Sequence, residues 1–200
     1  MPSNFASKKI YQLLDSIEDQ DYALPVFQRN FVWKPAQIQS YIEALYNTDP
    51  TGQIILWETE FEKGEKKVLI IDGQQRLTSL VTAFTGVQPK FYEGEDFEFK
   101  LYFNPFEETF SRRKTEGKYW VLIAEYFQSS DKAKYNAEIQ KLEGEMFEDK
   151  NKALNSMYNL ALIRDYQYAV TELDKSLSIS RTVEIFKNIN SEGTNLDVGD

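Results

Sequence analysis

The sequence predicts a domain in which α-helices and short β-strands are mixed. Apolar residues recur at helical spacing in several segments, and short apolar runs such as 54–57 and 68–71 are typical of buried strands. Residues 97–103 alternate between apolar and polar side chains, as in a strand with one buried face. The 200 residues are 42% hydrophobic, which fits one large domain or two small ones with a real core.

The first part of the chain predicts two helices separated by an extended segment. Ser7 is a candidate N-cap for the first helix, whose apolar stripe begins at Ile10. Residues 22–33 are predicted to be extended, because Pro25 biases the residue before it away from helix. The second helix is expected to begin at Pro35, since proline is favoured at the first helical position.

A hairpin and a third helix are predicted next. The apolar run 54–57 and the run that ends at Asp72 are expected to pair through a charged, glycine-containing turn. After Gly73, apolar residues spaced three and four apart between 77 and 84 form the stripe of an amphipathic helix, which Gly86 is placed to end. A strand therefore runs into a helix through a short polar turn.

The rest of the chain predicts a loop, a largely helical segment, a strand and a last helix. Residues 107–118 are charged and are expected to form an exposed loop. Residues 131–162 show two helical stripes separated by a break. Residues 166–173 are predicted to be a strand, and Ser178 or Ser180 to cap the final helix.

The composition excludes several kinds of chemistry. There is no cysteine and no histidine, so thiolate nucleophiles, Ser-His-Asp triads, histidine zinc sites and HNH-type nuclease centres are ruled out in this sequence. Any metal would be a hard cation such as Mg²⁺ held by oxygens. The net charge of −9 opposes nonspecific DNA binding, although a local basic pocket is compatible with it. No apolar run is long enough for a membrane span and no signal peptide is evident, so a cytoplasmic location is expected.

The candidate site is the sequence Asp-Gly-Gln-Gln-Arg that begins at Asp72. The first amides of a helix lack intrahelical partners and lie at the positive end of its dipole, so they form an anion site. Gly73 would let the backbone approach a phosphate, and Arg76 can add a bidentate contact. Gln74 and Gln75 offer neutral donors, and Asp72 a metal ligand or a base. The alternative is that Asp72 only caps the helix, Arg76 is solvated and the glycine makes a turn.

Two further blocks accompany this motif. They are Leu24-Pro25-x-Phe27-Gln28-Arg29-x-Phe31-Val32-Trp33 and Phe186-x-x-Ile189-Asn190-x-x-Gly193. In this order the three blocks resemble the N-terminal domain of GmrSD-type restriction proteins, which is related to the ParB and sulfiredoxin nucleotide-binding fold. The resemblance spans nearly the whole chain. It implies an α+β fold over residues 1–200, with a small mixed β-sheet, flanking helices and a helical insertion at about 123–165.

The resemblance also implies that the domain binds and hydrolyses a nucleoside triphosphate, usually with Mg²⁺. Carried over position by position, it gives catalytic roles to Asp72, Gln75 and Arg76, with Asp72 either binding the metal or orienting the attacking water. It gives nucleotide-binding roles to Gln28, Arg29, Gly73, Gln74, Asn190 and Gly193. No Gly-x-x-x-x-Gly-Lys-Ser/Thr loop is present, so a P-loop ATPase is excluded.

Full-length family members cut modified or foreign DNA in defence against phage, usually through a C-terminal HNH-like nuclease domain. Such a domain needs histidine, which this sequence lacks. We therefore expect a fragment that regulates a nuclease domain in cis, without DNA cleavage of its own. DNA is the expected partner of the full-length protein, and homo-oligomer formation is left open.

Three alternatives remain at this stage. The same pocket can grip a nucleotide or a modified DNA base without hydrolysis, which would make the domain a sensor. An intrinsic nuclease is disfavoured by the charge and the lack of histidine, although a two-metal carboxylate site would not need histidine. In a purely structural domain, the motif would be no more than a turn between a strand and a helix.

Overall fold

The computed structural model describes residues 4–28, 30–60 and 66–192. The strands in these ranges are β1 (Asn4–Lys9), β2 (Tyr22–Ala23), β3 (Ile54–Glu60), β4 (Lys66–Asp72), β5 (Tyr102–Asn104), β6 (Thr109–Ser111), β7 (Val121–Leu122) and β8 (Gln167–Leu173). The α-helices are α1 (Ile10–Glu18), α2 (Pro35–Tyr46), α3 (Gln74–Thr85), α4 (Ile123–Gln128), α5 (Ala133–Lys141), α6 (Lys150–Leu162) and α7 (Ile179–Glu192). Short 3₁₀ turns lie at Glu145–Phe147 and Ile163–Asp165.

The larger sheet has five strands in the order β1-β8-β3-β4-β2. β1 pairs with β8 and β3 pairs with β4 in antiparallel orientation, whereas β3 pairs with β8 and β2 with β4 in parallel. The predicted pairing of 54–57 with the run that ends at Asp72 is confirmed, since β3 and β4 are antiparallel neighbours. The α+β fold class with a mixed sheet is therefore confirmed.

The two faces of this sheet are covered differently. Ile54, Leu56 and Ile70 point into the main core, which they share with the buried residues of α1, α2 and α3. Their neighbours in sequence, Ile55 and Ile71, belong to a smaller cluster on the opposite face, to which α7 contributes partly buried residues. Burial on both faces explains why residues 54–57 and 68–71 are continuously apolar and do not alternate with polar residues.

A second sheet of three strands, in the order β6-β5-β7, packs beside α2. The prediction of an exposed loop over 107–118 is wrong in part, because β6 lies inside this segment and Phe110 is buried there. Phe110 packs against Tyr46 of α2 and Phe103 of β5. The segment 123–165 consists of α4, α5, α6 and the 3₁₀ turns.

The prediction that Ser7 caps the first helix is wrong. Ser7 lies in β1, where its hydroxyl donates to Gln167 Oε1 at 2.9 Å, and the helix begins at Ile10 after Lys9. The predicted stripe is confirmed, since Ile10 and Ile17 are buried. Pairing with β8 explains the error, because that strand lies far away in the sequence and a local pattern cannot reveal it.

The extended segment predicted over 22–33 is confirmed as a strand only at Tyr22–Ala23. From Leu24 to Lys34 the described backbone is irregular, and we refer to residues 24–34 as the 24–34 loop. The alternation at 97–103 is confirmed in burial, since Phe99 and Phe103 are buried, but only Tyr102–Asn104 forms a strand. Within the described ranges, no helix is long and apolar enough to cross a membrane.

Candidate functional site

The junction between β4 and α3 forms the centre of the site. β4 ends at Asp72, and Gly73 has a left-handed backbone with φ of 101° before α3 begins at Gln74. A β-carbon at Gly73 would lie 3.1 Å from Ile54 Cγ1, so both the backbone angle and the available space favour glycine. The first helical hydrogen bond runs from Leu77 N to Gly73 O at 2.9 Å, so the amides of residues 74–76 come before the helical ladder.

Asp72 and Arg76 form an ion pair one helical turn apart. Arg76 Nη2 lies 2.8 Å from Asp72 Oδ2 and also donates to the carbonyl oxygen of Gln53 at 2.6 Å. The Arg76 side chain is only 20% exposed, and the Asp72 side chain only 29%. Arg76 is therefore not a solvated surface group, and Asp72 does not act as the cap, because Gly73 occupies that position and no side chain caps the helix.

The glycine before β3 makes room for this arginine. Gly52 has φ of 85°, and a β-carbon there would lie 3.0 Å from Arg76 Nη1. Arg76 Nε is buried and has no hydrogen-bond partner among the described residues. Sequence reasoning missed Gly52 and the Gln53 carbonyl, and the only available signal was a glycine directly ahead of a strand.

Gln75 connects α3 to the 24–34 loop. Its Oε1 accepts hydrogen bonds from Val32 N at 2.9 Å and Trp33 N at 3.2 Å, and its Nε2 donates to Asn30 O at 3.3 Å. Both polar atoms of the side chain are thus engaged with the loop. Gln75, which was predicted to be catalytic, lies at the site, but in this structure its contacts hold the backbone of the 24–34 loop.

Gln28 performs a similar task at the edge of β4. Its Nε2 donates to the carbonyl oxygens of Ile70 and Ile71, the latter at 3.0 Å. β2 ends at Ala23, opposite Leu69, so the glutamine side chain bonds β4 carbonyl oxygens that lie beyond the end of β2. The remaining polar atom of Gln28 is its acceptor oxygen.

Gln74 differs from the other two glutamines. It is only 6% exposed, yet its side chain has no hydrogen-bond partner among the described residues. Its amide atoms are not among the fully buried polar atoms that lack a partner, so they reach the cavity surface, where a ligand or water can bond them. Gln74 lines the cavity at the start of α3, where a ligand would meet it.

The cavity at this junction has a volume of about 170 Å³. We call it the motif cavity. Its walls are Gln28, Trp33, Ile71, Asp72, Gly73, Gln74, Gln75, Arg76 and Phe186. The structure therefore brings the first sequence block and the Asp-Gly-Gln-Gln-Arg motif together around one space. The third block contributes Phe186, which contacts Phe27 of the 24–34 loop with ring centroids 5.3 Å apart.

Three predicted binding residues are not placed at side-chain level. Arg29 and Gly193 lie outside the described residues, and Asn190 is described only as part of the backbone of α7. Their assignments stay predictions. Ser178 is confirmed as the residue that precedes the last helix, and its hydroxyl accepts a hydrogen bond from Arg181 N at 3.3 Å.

Two buried tyrosines lie near Arg76 without adding negative charge. The hydroxyls of Tyr41 and Tyr168 are hydrogen-bonded, and Thr51 Oγ1 donates to Tyr168 at 2.8 Å. Burial raises the pKa of Tyr168 to about 12, against an opposing effect of the Arg76 charge. Burial also raises the pKa of Tyr41 well above its usual value. Both phenols are therefore neutral at physiological pH.

The motif cavity is lined by few carboxylates. Asp72 is the one carboxylate that lines the motif cavity, and the described part of the chain holds no group of three or more carboxylates placed to bind a metal. One carboxylate suits Mg²⁺ that is carried in by phosphate oxygens and water, and it does not suit a cation held by protein ligands alone.

Residues 10–200 match the family described as the GmrSD restriction endonuclease, N-terminal domain. The chain belongs to this family. The family description places this domain at the N-terminal end of restriction endonucleases. The resemblance found in the sequence blocks is thereby confirmed.

One curated relative is an uncharacterized protein of Methanocaldococcus jannaschii. It is 31% identical over 97 residues, an alignment that covers 38% of this chain and 17% of the relative. The chain thus spans only a small part of the length of that relative.

Proposed function

We propose that this domain binds and hydrolyses a nucleoside triphosphate with Mg²⁺, and that turnover regulates the DNA-cutting domain of a restriction protein. The observation that carries the proposal is the convergence of donors on the motif cavity. The backbone amides at the start of α3, the unpartnered Gln74 amide and the Arg76 guanidinium all lie at one small space beside Asp72.

This donor set suits the phosphate groups of a nucleotide. Phosphoryl transfer depends mainly on positioning and on neutralising charge in the transition state, and it needs no covalent nucleophile. The helix N-terminus supplies oriented amides, and Arg76 supplies a full positive charge held by Asp72 and the Gln53 carbonyl. The absence of histidine and cysteine is compatible with such chemistry.

Asp72 is the residue that would hold Mg²⁺, which supplies further neutralisation of phosphate charge when bound. In the described state its carboxylate is paired with Arg76 at 2.8 Å. Phosphate oxygens give Arg76 another anionic partner, so nucleotide binding frees Asp72 for the metal or for the attacking water. The ion pair thus keeps both groups in place before the nucleotide arrives.

A non-hydrolysing sensor is the second candidate. The observation that favours it is that the polar atoms of Gln75 are fully engaged with the 24–34 loop and that Asp72 is engaged with Arg76. If these contacts persist in the complex, neither Asp72 nor Gln75 is available to orient water. The domain would then bind the nucleotide and report its presence without turnover.

The deciding experiment measures phosphate release from ATP, GTP, CTP and UTP, each with and without Mg²⁺. We expect release that requires Mg²⁺ in the wild type and that falls by on the order of 100-fold or more in Arg76→Ala, the effect typical of losing one charge-stabilising group. Arg181→Ala is the matched control, since Arg181 is an exposed arginine of α7 that pairs with Glu184. It should release phosphate at the wild-type rate.

Binding must be measured separately, because Arg76 also supports the fold. Thermal unfolding shows whether Arg76→Ala is folded, and calorimetry gives the affinity for each nucleotide. Binding without release in a folded wild type would favour the sensor. No binding of any triphosphate to the folded domain would refute the proposal.

A further inference from the structure

We infer that a second cavity beside the motif cavity binds the base of the same nucleotide, an inference that rests on the proposed function. This base cavity, as we call it, also has a volume of about 170 Å³. Residues of the 24–34 loop, including Asn30 and Phe31, form one side, and Tyr92 and Glu93 form the other. Gln28 and Gln74 line both cavities.

The volumes of the two cavities support binding of the phosphates in one and of the base in the other. Pockets that enclose a whole drug-sized ligand usually measure about 300–1,000 Å³. At about 170 Å³, the motif cavity is too small to enclose an entire nucleoside triphosphate. Its donors suit phosphates, so the base of a bound nucleotide has to lie outside it. The base cavity is the adjoining space.

The two shared glutamines mark the passage between the cavities. The amide nitrogen of Gln28 donates to the carbonyl oxygens of Ile70 and Ile71, and its side-chain oxygen can still accept a hydrogen bond. A ribose hydroxyl is a donor that can reach such an acceptor. Gln74, which is 6% exposed and has no partner among the described residues, offers both a donor and an acceptor. A sugar between base and phosphates would satisfy both side chains.

Two aromatic rings lie in the wall of the base cavity. Phe31 and Tyr92 meet edge to face, with ring centroids 6.1 Å apart, and both rings are partly exposed. Phe31 is held from behind by Phe97, whose ring is stacked at 5.8 Å. Every nucleobase has a π-face that can stack on such rings, so these two rings accept any base.

Discrimination between bases falls to the polar residues. Glu93 is exposed and, as a carboxylate, can only accept hydrogen bonds. Adenine, guanine and cytosine carry an exocyclic amino group that can donate to it, whereas uracil has carbonyl oxygens in its place, which a carboxylate repels, and keeps only its ring N3–H as a donor. We therefore expect the site to prefer an amino-bearing base over uracil.

The test compares the four nucleoside triphosphates with inorganic tripolyphosphate, which lacks base and sugar, by calorimetry. In the wild type we expect ATP to bind about 10-fold or more tightly than tripolyphosphate, the gain typical of one stacked base. Tyr92→Ala should remove most of this gain and leave tripolyphosphate binding unchanged. Tyr158→Ala is the control, because Tyr158 is a 65% exposed tyrosine on α6 outside both cavities.

Glu93→Gln addresses selectivity without disturbing an aromatic wall. The amide can donate as well as accept, so UTP should gain affinity by about 3-fold or more relative to ATP. Unchanged ratios among the four nucleotides would overturn the role of Glu93. Equal binding of tripolyphosphate and all nucleotides by the wild type would overturn the base cavity but leave the phosphate site standing. Failure of tripolyphosphate and nucleotides alike would instead overturn the proposed function.

Discussion

The two ends of α3 contrast sharply. At the N-terminal end, two cavities of about 170 Å³ each are lined by amides, an arginine, two carboxylates and aromatic rings. At the C-terminal end lies a cavity of about 730 Å³, whose floor includes the stacked rings of Phe84 and Phe127 with centroids 4.0 Å apart. The larger space is thus not the one that holds the sequence motif.

The polarity of the helix, and not side-chain charge, explains why the N-terminal end is the better anion site. The N-terminal end of a helix carries partial positive charge and free amides, whereas the C-terminal end carries carbonyls. The large cavity is bordered by the acids Asp15 and Glu18 as well as the bases Lys90 and Arg164. Among the carbonyls at that end, Thr85 O accepts a hydrogen bond from Gln128. Donor direction, and not volume, distinguishes the two ends.

The largest expected effect concerns stability at the C-terminal end. Phe84→Ala removes a side chain that is 2% exposed and stacked on Phe127, so the free energy of unfolding should fall by about 3–5 kcal/mol. Denaturant unfolding measures the loss, and Phe84→Leu should lose less. At a temperature where the variant is folded, its affinity for ATP should equal that of the wild type. A weaker affinity would show that the two ends are not independent.

The next effect concerns catalysis at the N-terminal end. Asp72→Ala should lower kcat for triphosphate hydrolysis by on the order of 100-fold, because a group that places metal or water is lost. Glu18→Ala, which removes an exposed carboxylate at the other end of the helix, should leave kcat unchanged. Steady-state phosphate release measures both. Similar rates for the two variants would argue against a catalytic Asp72.

A pair of glycines compares the two ends directly. Gly73 and Gly86 both have positive φ, at 101° and 77°, so alanine at either should cost about 1–2 kcal/mol of stability. The added carbon would lie 3.1 Å from Ile54 Cγ1 at Gly73, but 3.6 Å from Ala124 Cβ at Gly86. Gly73→Ala should therefore be the more destabilising in chemical denaturation. The reverse order would mean that Ile54 shifts freely.

The smallest effect concerns the attachment of the 24–34 loop. Gln75→Ala removes the acceptor for the amides of Val32 and Trp33, which are at least partly exposed, so global stability should change by less than about 1 kcal/mol. Hydrogen exchange of those two amides should accelerate. Gln75→Glu keeps the acceptor and should retain most of the protection. Equal exchange in both variants would show that other contacts hold the loop.

Local patterns were sufficient for the elements around the motif. The strand that ends at Asp72, the glycine turn and the helix that ends before Gly86 were all predicted from spacing, because each depends on neighbours within one turn or one strand. The start of α2 at Pro35 was predicted for the same reason. The strand over 166–173 was also recognisable, because β-branched and aromatic residues are concentrated there.

Contacts between distant parts of the chain were not predictable in this way. Ser7 was taken as a helix cap because its partner, Gln167, lies 160 positions away. The Gln53 carbonyl that holds Arg76, and the loop amides that hold Gln75, come from other parts of the sequence. No local rule connects residues that meet only after the chain has folded.

By itself, the sequence determined the residue types at the site and the family to which the chain belongs. The motifs, and the polar residues at the start of a helix, are recognisable from residues that are neighbours in the sequence. Tertiary structure alone decided which of those side chains are already bonded and which has no hydrogen-bond partner among the described residues. The side chains of Gln28 and Gln75 are hydrogen-bonded to backbone atoms, whereas the side chain of Gln74 is buried between two cavities. That difference depends on where a loop, a strand edge and a helix end meet in space, and three glutamines look alike in sequence.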